Sequence, residues 1–375
     1  MKKVTVVITA RASYSRIKTV LLHLRKNVLI DLEIVLKASA LVENYGSILK
    51  YLEDDNLKVS YKIYSLFNTQ DISFQVKTTG IGMIELSNYF RSSEPDIVIT
   101  IADRFETIAT AIAASYMNIP LIHIQGGEDT GNIDNKVRNS ITFLSDHHFV
   151  SNKEAKTKLT SMQVQSDTIF NLGCPSIDLI DIANKKEINS EFLYDSYSWS
   201  GEKVDLDKDY IVVMQHAVTN ENNSRGQIEK TIKAVKKLKK PTFWFWPNVD
   251  TGTDGISKGL RFFSNSKPDF PVTFLKSLGP QDFLRLISKS KVLIGNSSVG
   301  IRESSYIGLP VVNIGSRQEK RVRSENVIDV DYNCDEIYSA IKKQLNNEYY
   351  EKSTIYGSGK SGDKIVKQIL KILGL

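Results

Sequence analysis

Cysteine is nearly absent: Cys174 and Cys334 are the only two in 375 residues. Two thiols cannot build a disulfide framework or a thiolate zinc site. Histidine is scarce as well, with five in the chain, so no dedicated metal centre is expected. No apolar run approaches the roughly eighteen residues that a membrane-spanning helix needs. The apolar start, 4–10, is followed by Arg11 and Arg16 with no clear cleavage site, so it reads as a buried first strand and the protein as cytoplasmic. Low-complexity tracts and sequence repeats are missing too. So is a strong excess of one charge: 49 basic against 43 acidic residues leave a net +6. That balance suits an anionic ligand and gives no reason to expect nucleic acid or a membrane as partner.

What is present is ordinary globular material, 41% hydrophobic and 25% charged, in a chain long enough for two domains. Short β-branched runs at 4–9, 33–36, 97–101, 121–124 and 148–150 read as buried strands. Helical patterns lie between them at 15–25, 84–90, 105–117 and 134–144. A polar stretch, 183–209, reads as a linker. The alternation then resumes, with strands at 210–214, 242–246, 272–275, 292–294, 311–314 and 326–330. Helices are expected at 227–238, 281–288, 299–307, 335–344 and 364–372. Strands alternating with helices imply parallel βαβ units. The expected fold is α/β, with two Rossmann-like domains at 1–182 and 210–357 and a terminal helix, 358–375, packing back on the first. Ligand chemistry is then expected in an interdomain cleft, at the carboxyl ends of both sheets.

One motif is set aside. Gly357-Ser358-Gly359-Lys360-Ser361-Gly362 matches GxGxxG, but too little chain follows for the βαβ unit that a dinucleotide fingerprint needs. A flexible crossover before the last helix is the better reading.

The chemistry gathers where strands end. Arg11 and Ser15 follow the first strand, where a helix start and a fixed charge suit phosphate. Asp103, Arg104 and Glu106 follow four apolar residues of another strand. The segment His123-Ile124-Gln125-Gly126-Gly127-Glu128 places polar groups beside two glycines that allow close backbone approach. Asp134 and Arg138 stand one helical turn apart and could be an ordinary surface pair. His123, inside a strand, reads as a hydrogen-bonded core residue.

In the second half, His216 at a strand end is the strongest acid/base candidate among the histidines. Asn248 follows the aromatic strand Trp244-Phe245-Trp246, whose tryptophans read as core. Gly295-Asn296-Ser297-Ser298-Val299-Gly300 is the most specific phosphate signal, with two hydroxyls and free N–H groups at a helix start. Glu303 lies where it could hold ribose hydroxyls, and Arg317 follows the next strand.

GNSSVGIRE, PVVNIGSRQ, HIQGGE, WFWPNVD and GCPSID together resemble the hydrolysing UDP-N-acetylglucosamine 2-epimerases of sialic and legionaminic acid synthesis. The resemblance runs over nearly the whole chain and implies a glycosyltransferase-B-like fold. It matches Arg11, Ser15, Arg104, His216, Asn248, Ser297, Ser298, Glu303 and Arg317 to nucleotide-sugar positions, and Asp103 and Asp134 to acidic catalytic positions. Glu128 is a further carboxylate for proton transfer, and Gln125 can orient the sugar but cannot exchange a proton. The family usually has a carboxylate or histidine in place of Gln125.

The implied reaction uses no metal and no redox cofactor. A base takes the C2 proton, UDP leaves C1, and water adds to the resulting glycal to release the free 2-epimer, such as N-acetylmannosamine. The implied partners are a UDP-sugar and further copies of the chain, as a homodimer or homotetramer. A UDP- or GDP-linked 2,4-diacetamido-2,4,6-trideoxyglucose is an alternative substrate. A non-hydrolysing epimerase, a glycosyltransferase of the same fold and a nucleotide-sugar-binding protein of little activity are alternative functions.

Overall fold

A computed structural model describes residues 1–42, 48–67, 73–130, 133–218, 221–247 and 252–375. It divides into two compact units. The first holds Met1–Asp129, Asp134–Asp178 and Tyr356–Leu375, and the second is built on Leu179–Ile355.

The first unit contains β1 (Lys2–Ile8), β2 (Ile30–Lys37), β3 (Tyr61–Ile63), β4 (Ile97–Ile101), β5 (Leu121–Ile124), β6 (His147–Val150) and β7 (Ile169–Asn171). They form one parallel sheet in the order β3-β2-β1-β4-β5-β6-β7. Val4 to Ile8 and all of β4 are buried, because helices cover both faces of a parallel sheet. One face packs Val20, Leu21 and Leu24 of helix Lys18–Lys26 beside Ile365, Val366 and Ile369 of the last helix, Ser361–Ile372. The other packs Leu86 and Phe90 of helix Ser73–Ser93 with the alanines of helix Ile108–Tyr116.

The second unit contains β8 (Trp199–Gly201), β9 (Ile211–Met214), β10 (Thr242–Phe245), β11 (Val272–Leu275), β12 (Val292–Gly295), β13 (Val311–Ile314) and β14 (Val327–Val330). The order is β14-β13-β12-β9-β10-β11-β8, with only β8 antiparallel. Apart from β7 and β8, both sheets have the doubly wound Rossmann order. The strand order reverses between β1 and β4 in one and between β9 and β12 in the other, and such reversals open a crevice at the carboxyl ends.

Several elements differ from the sequence expectation. The stretch 183–209, read as a linker, carries helix Ser190–Ser196 and edge strand β8, held by Tyr194, whose hydroxyl donates to the Val204 carbonyl at 2.8 Å. The first helix begins at Arg11 and breaks after Ser15, with a second helix from Lys18, so Arg11 lies in a helical turn. Helix Ser73–Ser93 is far longer than 84–90. The helix expected at 299–307 is a 3-10 turn, Ser298–Gly300, followed by Glu303–Ile307.

The crossover at 357–362 is pinned rather than loose. The backbone N–H groups of Ser361 and Gly362 donate to the buried Asp178 carboxylate at 2.9 and 2.6 Å. The Gly357 Cα lies against Gly173, and a side chain at Gly362 would collide with Thr19. Close packing accounts for these glycines. No helix among the described residues is long and apolar enough to cross a membrane.

Candidate active site

In the first unit, the loops after β1, β4 and β5 carry the expected residues. Arg11 and Ser15 lie in the helical turn after β1, both half-buried. Burial lowers the Arg11 guanidinium from its ordinary value. The Ser15 hydroxyl donates to the Ala12 carbonyl at 3.0 Å. After β4, Ala102 takes a left-handed φ of 64°, which turns the chain so that Asp103 and Arg104 leave the sheet. Asp103 is ion-paired with Arg138, and Arg104 Nε donates to Glu106 Oε1 at 2.9 Å.

After β5, Gln125 also takes a left-handed φ, 67°, and its side chain turns inward to Cys174 Sγ at 2.9 Å. It is 1% exposed, so its orienting role would act from beneath the surface. Gly127 permits close approach to the Ala155 carbonyl. Glu128 follows, buried, with Oε1 accepting from the Ser151 hydroxyl at 2.7 Å. Asp134 lies half-buried in the first turn of helix Ile133–Phe143.

Arg138 ties these pieces together. It is 1% exposed, which removes the surface-pair reading. Besides Asp103, its guanidinium donates to the Glu128 carbonyl and to Asn135 Oδ1, both at 2.6 Å. One fork thus joins the β4 loop, the β5 loop and the helix that carries Asp134. Its sequence signal was its place one helical turn beyond Asp134. His123 is a core residue, as expected. Its ring contacts the Ala102 carbonyl at 2.9 Å and Thr142 Oγ1 at 3.3 Å, and burial lowers it to about 4.

In the second unit, His216 follows β9 and is 4% exposed. Asn296, after β12, clasps its backbone: Oδ1 accepts from the His216 N–H at 2.7 Å, and Nδ2 donates to the His216 carbonyl at 2.9 Å. Gln318 Nε2 and an Arg317 terminal nitrogen donate to the Asn296 carbonyl at 3.0 and 3.3 Å. Asn296 therefore joins the loops after β9, β12 and β13.

Gly295 makes this possible. Its φ is 128°, and a Cβ would strike the Met214 carbonyl. Ser297 and Ser298 are half-buried at the turn, where the N–H groups of Gly300, Ile301 and Arg302 close back on their carbonyls. The first N–H groups of a helical turn have no partner within it, which is what lets such a turn bind an anion. Glu303 is buried, and its Oε2 has no hydrogen-bond partner among the described residues. Trp244 is wholly buried core. Asn248 lies outside the described residues.

The structure thus gathers Arg11, Asp103, Arg104, Gln125, Glu128 and Asp134 about the carboxyl edge of the first sheet. It gathers His216, Ser297, Ser298 and Arg317 about that of the second. Sequence reasoning missed Arg138, Asn296, Glu106 and Ser151 as organisers, since each acts by supporting a neighbour. No cluster of three or more potential metal ligands occurs among the described residues.

Comparison with known proteins gives the family and the fold. Residues 22–370 match the sequence family described as UDP-N-acetylglucosamine 2-epimerase. A Legionella pneumophila protein named UDP-N,N'-diacetylbacillosamine 2-epimerase (hydrolyzing) is 33% identical, over 100% of this chain and 97% of its own. A Campylobacter jejuni protein named GDP/UDP-N,N'-diacetylbacillosamine 2-epimerase (hydrolyzing) is 28% identical, over 100% and 96%. Among solved structures, the Methanocaldococcus jannaschii UDP-GlcNAc 2-epimerase in complex with UDP-GlcNAc and UDP superposes with a TM-score of 0.82. It is 20% identical, with 98% of this chain and 99% of that one covered, and the likeness is one of fold. The chain belongs to the UDP-N-acetylglucosamine 2-epimerase family.

Proposed function

We propose that the protein is a hydrolysing 2-epimerase of a UDP-linked 2-acetamido sugar. The observation that carries this reading is the Arg138 fork, which fixes the loops bearing Asp103 and Glu128 beside the helix bearing Asp134. Proton abstraction from carbon needs a carboxylate in a set direction, and geometry comes before pKa in choosing one.

One of these carboxylates takes the C2 proton of the sugar. The C1–O bond breaks with its electron pair going to UDP, leaving a 2-acetamidoglycal. Water then gives hydroxide to C1 and a proton returns to the opposite face of C2, so the free 2-epimer is released. The GNSS turn and Arg317 offset the charge that develops on the diphosphate. His216 is the acid/base candidate of the second unit. The relatives favour UDP-N,N'-diacetylbacillosamine as sugar donor, with UDP-N-acetylglucosamine as the second candidate.

The test is turnover of both nucleotide-sugars in deuterated water, with free UDP measured and the sugar product read by NMR. Deuterium at C2 of a free 2-epimer is expected. Free sugar without C2 deuterium would replace elimination by simple hydrolysis, and UDP release only with an added acceptor would mark a glycosyltransferase. Asp134→Asn should abolish UDP release while UDP still binds, because the amide keeps the shape but cannot exchange the proton. Full activity in that variant would remove Asp134 from the mechanism.

A further inference from the structure

A histidine that the proposed chemistry does not use lies beneath the loops after β4 and β5. His123 is 0% exposed in β5, between Ile122 and Ile124. Its Nε2 lies 2.9 Å from the Ala102 carbonyl, which can only accept, so Nε2 carries the ring hydrogen. Burial lowers the ring to about 4, so near neutral pH Nδ1 has no hydrogen and accepts from the Thr142 hydroxyl at 3.3 Å. Gly126 leaves room for this contact, since a Cβ there would stand 2.9 Å from Nδ1. The Ala102 N–H in turn donates to the Ile124 carbonyl at 2.9 Å. Both backbone polar groups of Ala102 are therefore held by β5.

Ala102 is a residue that needs holding. At a φ of 64° its Cβ crowds its own carbonyl oxygen, and it is only 2% exposed. The residue after it is Asp103. Thr142 belongs to helix Ile133–Phe143, and Arg138, one turn earlier on that helix, is ion-paired with Asp103. The helix that carries Asp134 thus reaches the β4 loop twice, once through Arg138 and once through the His123 ring.

We propose that His123 is a positioning residue, which through the Ala102 carbonyl and Thr142 sets the direction of the Asp103 carboxylate for proton transfer. The proposal rests on the reading of Asp103 as one of the carboxylates that move protons. Packing alone does not call for an imidazole here. The neighbours on the strand are isoleucines, and another apolar residue would fill the position without taking two ring nitrogens out of water. Strained non-glycine backbone persists only where its surroundings over-determine it, and such strain gathers at functional sites. Here it falls one residue before a carboxylate.

The experiment measures kcat and KM with the turned-over nucleotide-sugar, and UDP affinity by calorimetry, in His123→Leu, His123→Gln, Asp103→Asn and His123→Leu with Ala102→Gly. His123→Leu is expected to lower kcat about 10–100-fold, the scale of a misplacement of about 1 Å. KM and UDP affinity should stay within about twofold, as for an interaction felt only in the transition state. His123→Gln keeps an amide N–H for the Ala102 carbonyl and should recover most of the loss, whereas a packing role would make leucine the milder change. Ala102→Gly should restore part of kcat to His123→Leu, because glycine takes a positive φ without a Cβ to strain it. Wild-type kcat in His123→Leu, a larger loss in His123→Gln than in His123→Leu, or no recovery with Ala102→Gly would overturn the proposal.

If Asp103→Asn alone keeps full activity, Asp103 moves no proton and the proposal falls with that reading. The C2-deuterium result would still stand. Thr142→Val serves should His123→Leu fail to fold. It removes the hydroxyl that holds Nδ1 and keeps the shape, so kcat should fall with KM unchanged, while Thr142→Ser keeps the hydroxyl and should retain kcat. Equal kcat in those two variants would likewise overturn the proposal.

Discussion

The two sheets share a strand order yet organise their carboxyl edges with opposite chemistry. The first is knotted by a buried cation: Arg138 reaches one carboxylate, one carbonyl and one amide, and the neighbouring Arg104 donates to the Glu106 carboxylate. The second is knotted by a neutral amide: Asn296 binds the two backbone groups of His216 and receives Gln318 and Arg317 on its carbonyl. A charged knot holds carboxylates in fixed directions, which proton transfer needs. A neutral knot leaves hydroxyls and N–H groups as the means of binding, which suits a diphosphate that comes and goes. The reading we propose therefore assigns proton transfer to the first edge and anion capture to the second.

Breaking the charged knot should have the largest effect. Arg138→Leu strands a partly buried Asp103 and releases the β5 loop, at a cost of about 3–5 kcal/mol, the usual range for removing one partner of a buried pair. Turnover should vanish, while UDP affinity by calorimetry changes less than about threefold, within roughly 0.7 kcal/mol. Arg138→Lys keeps the charge but lacks the fork, so it should recover stability before activity. An active Arg138→Leu enzyme would show that the knot does not set the carboxylates.

Asn296→Ala is the matching cut in the second unit. It leaves the His216 N–H and carbonyl buried without their partners, at about 1–3 kcal/mol for an unsatisfied group. The expected signature is reversed: UDP binding weakens by about tenfold, near 1.4 kcal/mol, and the first unit's stability is untouched. Asn296→Asp keeps the acceptor for the N–H but buries a carboxylate against the His216 carbonyl, so it should be no milder than Asn296→Ala. If Asn296→Ala weakened turnover but not UDP binding, the division of labour between the edges would be wrong.

The parts of the fold that were legible in sequence are the central strands. β1, β4, β5 and β9 to β13 each show as a short, mostly β-branched or aromatic run, since burial on both faces favours apolar residues; the edge strand β14 shows through its valines and isoleucine. The strands that escaped are β3, β7 and β8, each three residues long and each at a sheet edge. An edge strand is half-covered and need not be apolar: β8 is Trp-Ser-Gly, with its last two residues exposed.

The same logic governs the site. Residues at the tips of strands, such as Asp103 and Ser298, stand out because polar groups interrupt an apolar run. Arg138 and Asn296 did not, because the partner that gives each its role is distant: Asp103 lies 35 residues from Arg138, and His216 80 residues from Asn296. A single arginine on a helix reads as a surface charge until that partner is in place.

The smallest expected effect concerns the ammonium under the charged edge. Burial lowers Lys37 from 10.5 to about 8, partly offset by the Glu106 charge. Below pH 8 the folded chain holds a buried ammonium that water would solvate better, so Lys37 costs stability there. Between pH 8 and 10.5 the folded state sheds this proton while the unfolded chain keeps it. The unfolded state then binds more protons, so the lysine's contribution to stability rises with pH, by up to about 1.4 kcal/mol per pH unit. Lys37→Met lacks the titration but fills a similar volume. The difference in urea midpoint between wild type and Lys37→Met, read by pulse proteolysis, should therefore move in favour of wild type as pH rises from 7.5 to 9.5. The second unit supplies the control, since its knot is neutral. Asn296→Ala should run parallel to wild type over the same range, and a flat difference for Lys37→Met would mean that the ammonium is solvated rather than buried.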